Sequence, residues 1–126
     1  MQTVSFSGMK KKTNIILAVY CLVFLTGVAE SYARETQQAQ VEKVSNKMFF
    51  QALQLYKDMK FWDCARELSI LLDFNPNYSQ MDHALLMLGN CLYEVNLHEG
   101  AERIYKFMLR KHVKSEYLPE AILGIE

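Results

Sequence analysis

The sequence predicts an all-α fold, an antiparallel helix-turn-helix solenoid of two complete repeats and the start of a third. Two observations carry this. The stretch Ala84–Leu109 reads as two amphipathic helices joined by a short polar turn at Glu94–His98, with Ala101, Ile104, Tyr105 and Met108 forming one apolar stripe. The spacing also recurs. From Ala52, steps of twelve, four, three and five residues reach Cys64, Leu68, Leu71 and Pro76; from Gly89 the same steps reach Ala101, Tyr105, Met108 and Val113. Leu88-Gly89 is echoed by Leu123-Gly124, giving intervals of 37 and then 35 residues. Periods in this range mark stacked helical hairpins, none of which can bury its apolar face alone.

In chain order, residues 34–44 are polar and Gln-rich, a linker or the frayed start of the first helix. The first repeat is expected from Ser45, read as an N-cap, through Phe49, Ala52, Leu53 and Tyr56. It turns at Met59–Phe61 and returns through Ala65, Leu68, Leu71 and Leu72 to Asn75-Pro76, where proline stops the helix. Ser79 with Asp82, and Asn96 with Glu99, read as capping pairs for the next two helices. The first helix of the second repeat is apolar almost all round, which suits neighbours on two sides. In its second helix Glu99 precedes Arg103 and Glu102 precedes Lys106 by four residues, supporting an exposed face. Gly89 and Ala101 are expected to meet where these helices cross. Ser115 and Pro119 mark a further helix start, since proline is tolerated in a first turn. Ala121, Ile122, Leu123 and Ile125 lack the polar face of a capping helix, so the chain reads as truncated within a longer array.

The segments FWDCARELSILLDFNPNY and LLMLGNCLYEVNLHEGAERIYKF resemble tetratricopeptide repeats. RKHVKSEYLPEAILGI, with Ser-x-Tyr-x-Pro-x-Ala leading into a helix, is similar to the bacterial envelope subclass of these repeats. That subclass includes the outer-membrane assembly lipoprotein of the β-barrel assembly machinery and the periplasmic coordinator of the Tol–Pal system. The resemblance covers residues 45–126. Ala52 stands where the family has Gly, and Val113 where it has Pro.

The N-terminus, residues 1–33, has the three parts of a secretory signal. Lys10, Lys11 and Lys12 precede the uncharged run Thr13–Ala29, and small residues follow. Ser31 and Ala33 suit cleavage before Arg34; Gly27 and Ala29 offer a poorer, earlier site. Met9 is an alternative start. Seventeen residues also sit at the lower limit for a span, so an uncleaved inner-membrane anchor is the competing reading. Both place the repeats outside the inner membrane, periplasmic or secreted, with the lysines cytoplasmic. Cys21 follows Ala18-Val19-Tyr20, which is no lipobox, and this departs from the assembly lipoprotein.

The 126 residues are read as one domain with 14 basic and 14 acidic side chains; without residues 1–33 the balance is 11 to 13. No basic patch is evident, so nucleic acid is not an expected partner. No phosphate loop, nucleophile elbow or supported carboxylate pair occurs, so no enzyme and no cofactor are expected. His83, His98 and His112 lack ligand spacing, so no metal is expected either. Cys64 and Cys91 lie on helices expected to be neighbours. Packing as small apolar groups is the first reading, and a disulfide in an oxidising compartment is the second.

Surface remains. The resemblance implies that first helices of successive repeats line a concave groove for a protein or peptide partner. The matching residues are Asn46, Phe49, Leu53, Tyr56, Lys57, His83, Leu86, Asn90, Tyr93 and Glu94, continued by Leu118, Ala121 and Ile125. Phe49, Leu53 and Leu86 could equally pack between repeats. The expected function is thus a non-catalytic interaction scaffold of the cell envelope, in outer-membrane assembly or Tol–Pal-type maintenance. The alternative is a structural or oligomerising segment of a larger protein.

Overall fold

The computed structural model of the chain describes residues 2–126 and the side chains of residues 12–126. The side chains of Met9, Lys10 and Lys11, on which the start and most of the basic end of the signal pattern fall, lie outside the described residues. Among those described the protein is all-helical: α1 (Gln2–Lys57), α2 (Phe61–Phe74), α3 (Met81–Glu94), α4 (His98–Lys111) and α5 (Leu118–Ile125). It divides into two compact units, Met1–Ala39 and Gln40–Glu126.

The first unit is helical, and its apolar residues are exposed. Ile15, Leu17, Tyr20, Leu22, Val23, Phe24 and Leu25 are each more than half exposed. By length and composition α1 holds a stretch able to cross a membrane. The hydroxyls of Thr26 and Ser31 donate to the carbonyls of Val23 and Gly27, so both are satisfied within the helix.

The second unit is built around α3. Ala84, Met87, Leu88 and Cys91 face a cluster with Phe49 and Ala52 of α1 and Cys64, Ala65, Leu68 and Leu71 of α2. Leu85 and Leu86 face another with Ala101, Tyr105 and Met108 of α4 and Ala121 of α5. An apolar surface that runs almost round the helix is thereby buried on two sides, as its composition predicts. α2 packs on α3, α3 on α4 and α4 on α5, and α3 also touches α5.

The helix ends differ from the expected ones. Asn96 does not cap α4: Leu97 holds that position, with no side-chain capping bond. Asn96 instead has φ 64° and closes α3, with Asn96 N–H bonded to the Tyr93 carbonyl (3.0 Å) and Leu97 N–H to Leu92 (2.8 Å). This is a Schellman end, for which a short polar residue tolerates the left-handed conformation. Met59, with φ 59°, closes α1 the same way through Met59 to Tyr56 (3.0 Å) and Lys60 to Leu55 (2.9 Å). The two turns are 37 residues apart, so the repeat extends to backbone hydrogen bonding.

Nor does Ser79 cap α3, whose N-cap is Gln80. The Ser79 backbone N–H and hydroxyl both donate to Glu42. Ser45 is buried within α1, its hydroxyl donating to the Val41 carbonyl and accepting from Asn75 Nδ2 (3.0 Å). With Tyr78 donating to Asn46 (2.9 Å), these bonds fasten α1 to the turn after α2. Residues 34–44 are helical, and the fastening draws Val41 and Glu42 into partial burial.

Candidate functional site

Tyr105 is buried where α3, α4 and α5 meet, at the floor of an open cavity of the second unit. Its ring lies between Gly89 of α3 and Gly124 of α5, and a Cβ on either glycine would collide with it. Gly89 therefore makes room for Tyr105, where the sequence pointed to Ala101. The hydroxyl donates to Asn90 Oδ1 (2.6 Å), and Asn90 Nδ2 reaches Glu120 Oε1 (3.5 Å). One hydrogen-bonded chain thus joins α4, α3 and α5. Burial, then the nearby Tyr56 and Glu120, push the Tyr105 hydroxyl up to about 12.

Around this chain sit Tyr56, Tyr93, Glu94 and His98. Burial first, then Cys91, Glu94 and Glu120, raise the Tyr56 hydroxyl, and Tyr56 packs against the core cluster that includes Cys91 of α3. Tyr93 is half exposed and meets the His98 ring edge-on at 4.7 Å. Asn90, Tyr93, His98 and Tyr105 help line an open cavity of about 540 Å³. The site offers ring faces, neutral hydroxyl donors, an amide and carboxylates, a set suited to holding a polypeptide.

The residues expected to line the groove have different fates. Phe49 and Leu86 are buried, Phe49 against the rings of Tyr78 (5.8 Å) and His83 (5.1 Å). Asn46 is taken up by Tyr78, and half-buried His83 stacks on Tyr117 at 4.7 Å. Half-buried Leu53 packs against the core, and Tyr56 meets Phe61 edge-on at 5.4 Å. Lys57, Tyr93 and Glu94 are exposed, with Asn90 half-buried beside them. Further along, Ala121 is buried while Leu118 and Ile125 are half-buried.

Tyr105, Glu120 and His98 fall outside the groove positions that the resemblance implies. The signal for Tyr105 was present in the two Leu-Gly pairs, 35 residues apart, each clearing space for one large ring.

On the outer face of α4, Arg103 pairs with Glu99 (4.0 Å) and Lys106 with Glu102. Among the described residues no group of three or more His, Cys, Asp or Glu is gathered, and His83, His98 and His112 lie apart. Cys64 and Cys91 are free thiols, fully buried in one cluster, and near enough for each to shift the other's acidity. The adjacent Cys64, then burial, push the Cys91 thiol up, while Cys91 draws the Cys64 thiol down. Compared with known proteins, the chain matches no family model, no curated protein and no solved structure.

Proposed function

We propose that this chain is a non-catalytic scaffold of tetratricopeptide type, which holds a protein partner on the face where α1, α3 and α5 adjoin. The carrying observation is the Asn90–Tyr93–Tyr105 lining of an open cavity, where Tyr105 is framed by Gly89 and Gly124 and bonded to Asn90, with Tyr56 nearby. Rings of this kind supply contact area at low entropic cost, and amide and hydroxyl groups can pair with a partner backbone. The 37-residue recurrence, down to matched Schellman turns at Met59 and Asn96, supports the repeat assignment. The apolar stretch of α1 supports delivery to a bacterial envelope, by a cleaved signal or as an inner-membrane anchor. Service in outer-membrane assembly or Tol–Pal-type maintenance rests on resemblance to the subclass alone.

A photo-crosslinking residue in place of Tyr93, compared with one at exposed Arg66 on α2, tests the binding face. The expected result in cells is a discrete adduct from position 93, lost on Tyr56→Ala, and none from position 66. Equal adducts from both positions would overturn the assignment of this face.

A second reading, a structural or oligomerising segment, is favoured by α5. Its Ile122 and Leu123 are 44% and 69% exposed, apolar surface suited to docking further repeats or another domain. Loss of α5 helicity on Leu123→Glu without any change in the position-93 adduct would support it.

A further inference from the structure

We infer that Cys64 and Cys91 form a modification site, a dithiol that closes to a disulfide joining α2 to α3. The two residues are 27 apart in sequence, so only the fold brings them together. Both are 0% exposed, both belong to one core cluster, and their helices pack directly. Each thiol is close enough to the other to shift its acidity, Cys64 downward and Cys91 upward. A cysteine used only as a small apolar filler needs no second thiol beside it. One repeat further on, the place of Cys64 is taken by Ala101, equally enclosed at 1%. One repeat earlier, the place of Cys91 is taken by Gln54, which is exposed. The pair is thus a feature of this one joint and not of the repeat.

The oxidant is a disulfide, a dithiol oxidase in an envelope or oxidised glutathione in a tube. One cysteine thiolate attacks a glutathione sulfur, forming a mixed disulfide and releasing one glutathione thiolate. The second cysteine thiolate attacks the protein-bound sulfur, closing Cys64–Cys91 and releasing the other glutathione. Two electrons pass from the dithiol to glutathione, and the two thiol protons end on the released glutathione thiols. Because both sulfurs are sealed once α2 and α3 dock, exchange runs while the helices are apart. The inference needs no binding partner and stands apart from the proposed function.

The test uses the full chain carrying Cys21→Ala, so that only the pair is counted. It is refolded from urea into detergent with oxidised and reduced glutathione and a chelator, then denatured and treated with a maleimide. The expected product takes up no maleimide, weighs about two mass units less than the reduced chain, and gains two adducts after reduction. Its helices melt roughly 10 °C or more above those of the reduced chain. Adding Cys64→Ala, a side chain the next repeat already accepts at this place, leaves one maleimide or glutathione adduct. Two adducts on the unreduced chain, or glutathione retained on both cysteines, would overturn the inference. So would a closed bond that lowers helix content or melting temperature, because the docked helices would then not accommodate it.

Discussion

Tyr105 shows how a single side chain can set the chemistry of its surroundings. Its ring fills the space left by two glycines, so its hydroxyl has one direction to take and meets Asn90 at 2.6 Å. The same enclosure disfavours the phenolate, and the hydroxyl moves from 10.0 to about 12. For an acid whose folded value is raised, the stabilising contribution is complete below the unfolded value and is lost as pH rises through the folded one. Tyr105 therefore adds stability that is fully present below about pH 10 and disappears towards pH 12, worth about 2–3 kcal/mol at one unit per 1.4 kcal/mol. Tyr56 and Tyr78 are raised in the same direction, so the whole protein is expected to weaken in strong base. Urea unfolding at stepped alkaline pH, with phenolate absorbance followed in parallel, measures this. In Tyr105→Phe the fall between pH 10 and 12 should shrink by about 2 kcal/mol. An undiminished fall would mean that Tyr105 ionises as freely when folded as when unfolded.

Between α3 and α4 the two repeats solve one packing problem in two ways. Gly89 admits Tyr105, while the matching places upstream hold Ala52 and Leu68, a larger residue against a smaller one. Gly→Ala inside a helix ordinarily gains about 1 kcal/mol. At position 89 the new Cβ enters the Tyr105 ring, and overpacking of this kind costs about 1–3 kcal/mol. Gly89→Ala is therefore expected to destabilise by up to about 2 kcal/mol net, whereas in a Tyr105→Leu background the same change becomes neutral or stabilising. Urea midpoints of the four chains decide it; equal losses in both backgrounds would show that the ring is not what excludes the methyl group. Helices, their apolar faces and the two-sided burial of α3 were legible in the sequence because burial repeats along a chain at helical spacing. Helix caps were not. Ser45, Ser79 and Asn96 have the right chemistry for caps, but each goes elsewhere: to Val41 and Asn75, to Glu42, and to a left-handed helix end. Those partners lie up to 37 residues away or depend on the path of a turn, so no local pattern announces them. Phe49 and Leu86 carry the spacing of groove residues and are buried, because periodicity gives a helix face without saying what covers it.

For the molecule as a whole, the exposed apolar residues of the first unit are the largest unanswered contact. A window of mean hydropathy 1.9 with none of its residues buried has no protein surface to satisfy it, and a lipid interior does so at favourable free energy. The internal bonds of Thr26 and Ser31 remove hydroxyls that would otherwise be costly there. A periplasm-active reporter fused after Glu126 should therefore be active in a bacterium. Leu22→Arg with Leu25→Arg places two charges mid-way along the stretch at about 2.5–3.5 kcal/mol each, enough to abolish reporter activity. Full activity in that double variant would sever delivery from the apolar stretch and leave the envelope assignment without physical support. Where the reporter is active, the N-terminal residue of the exported chain separates the two modes of delivery. Arg34, or Glu30 from the earlier site, at the new terminus means a cleaved signal, and an intact terminus in the membrane fraction means an anchor. The second unit faces the same compartment in both cases, so the proposed binding face and the Cys64–Cys91 pair meet the same surroundings whichever terminus is found.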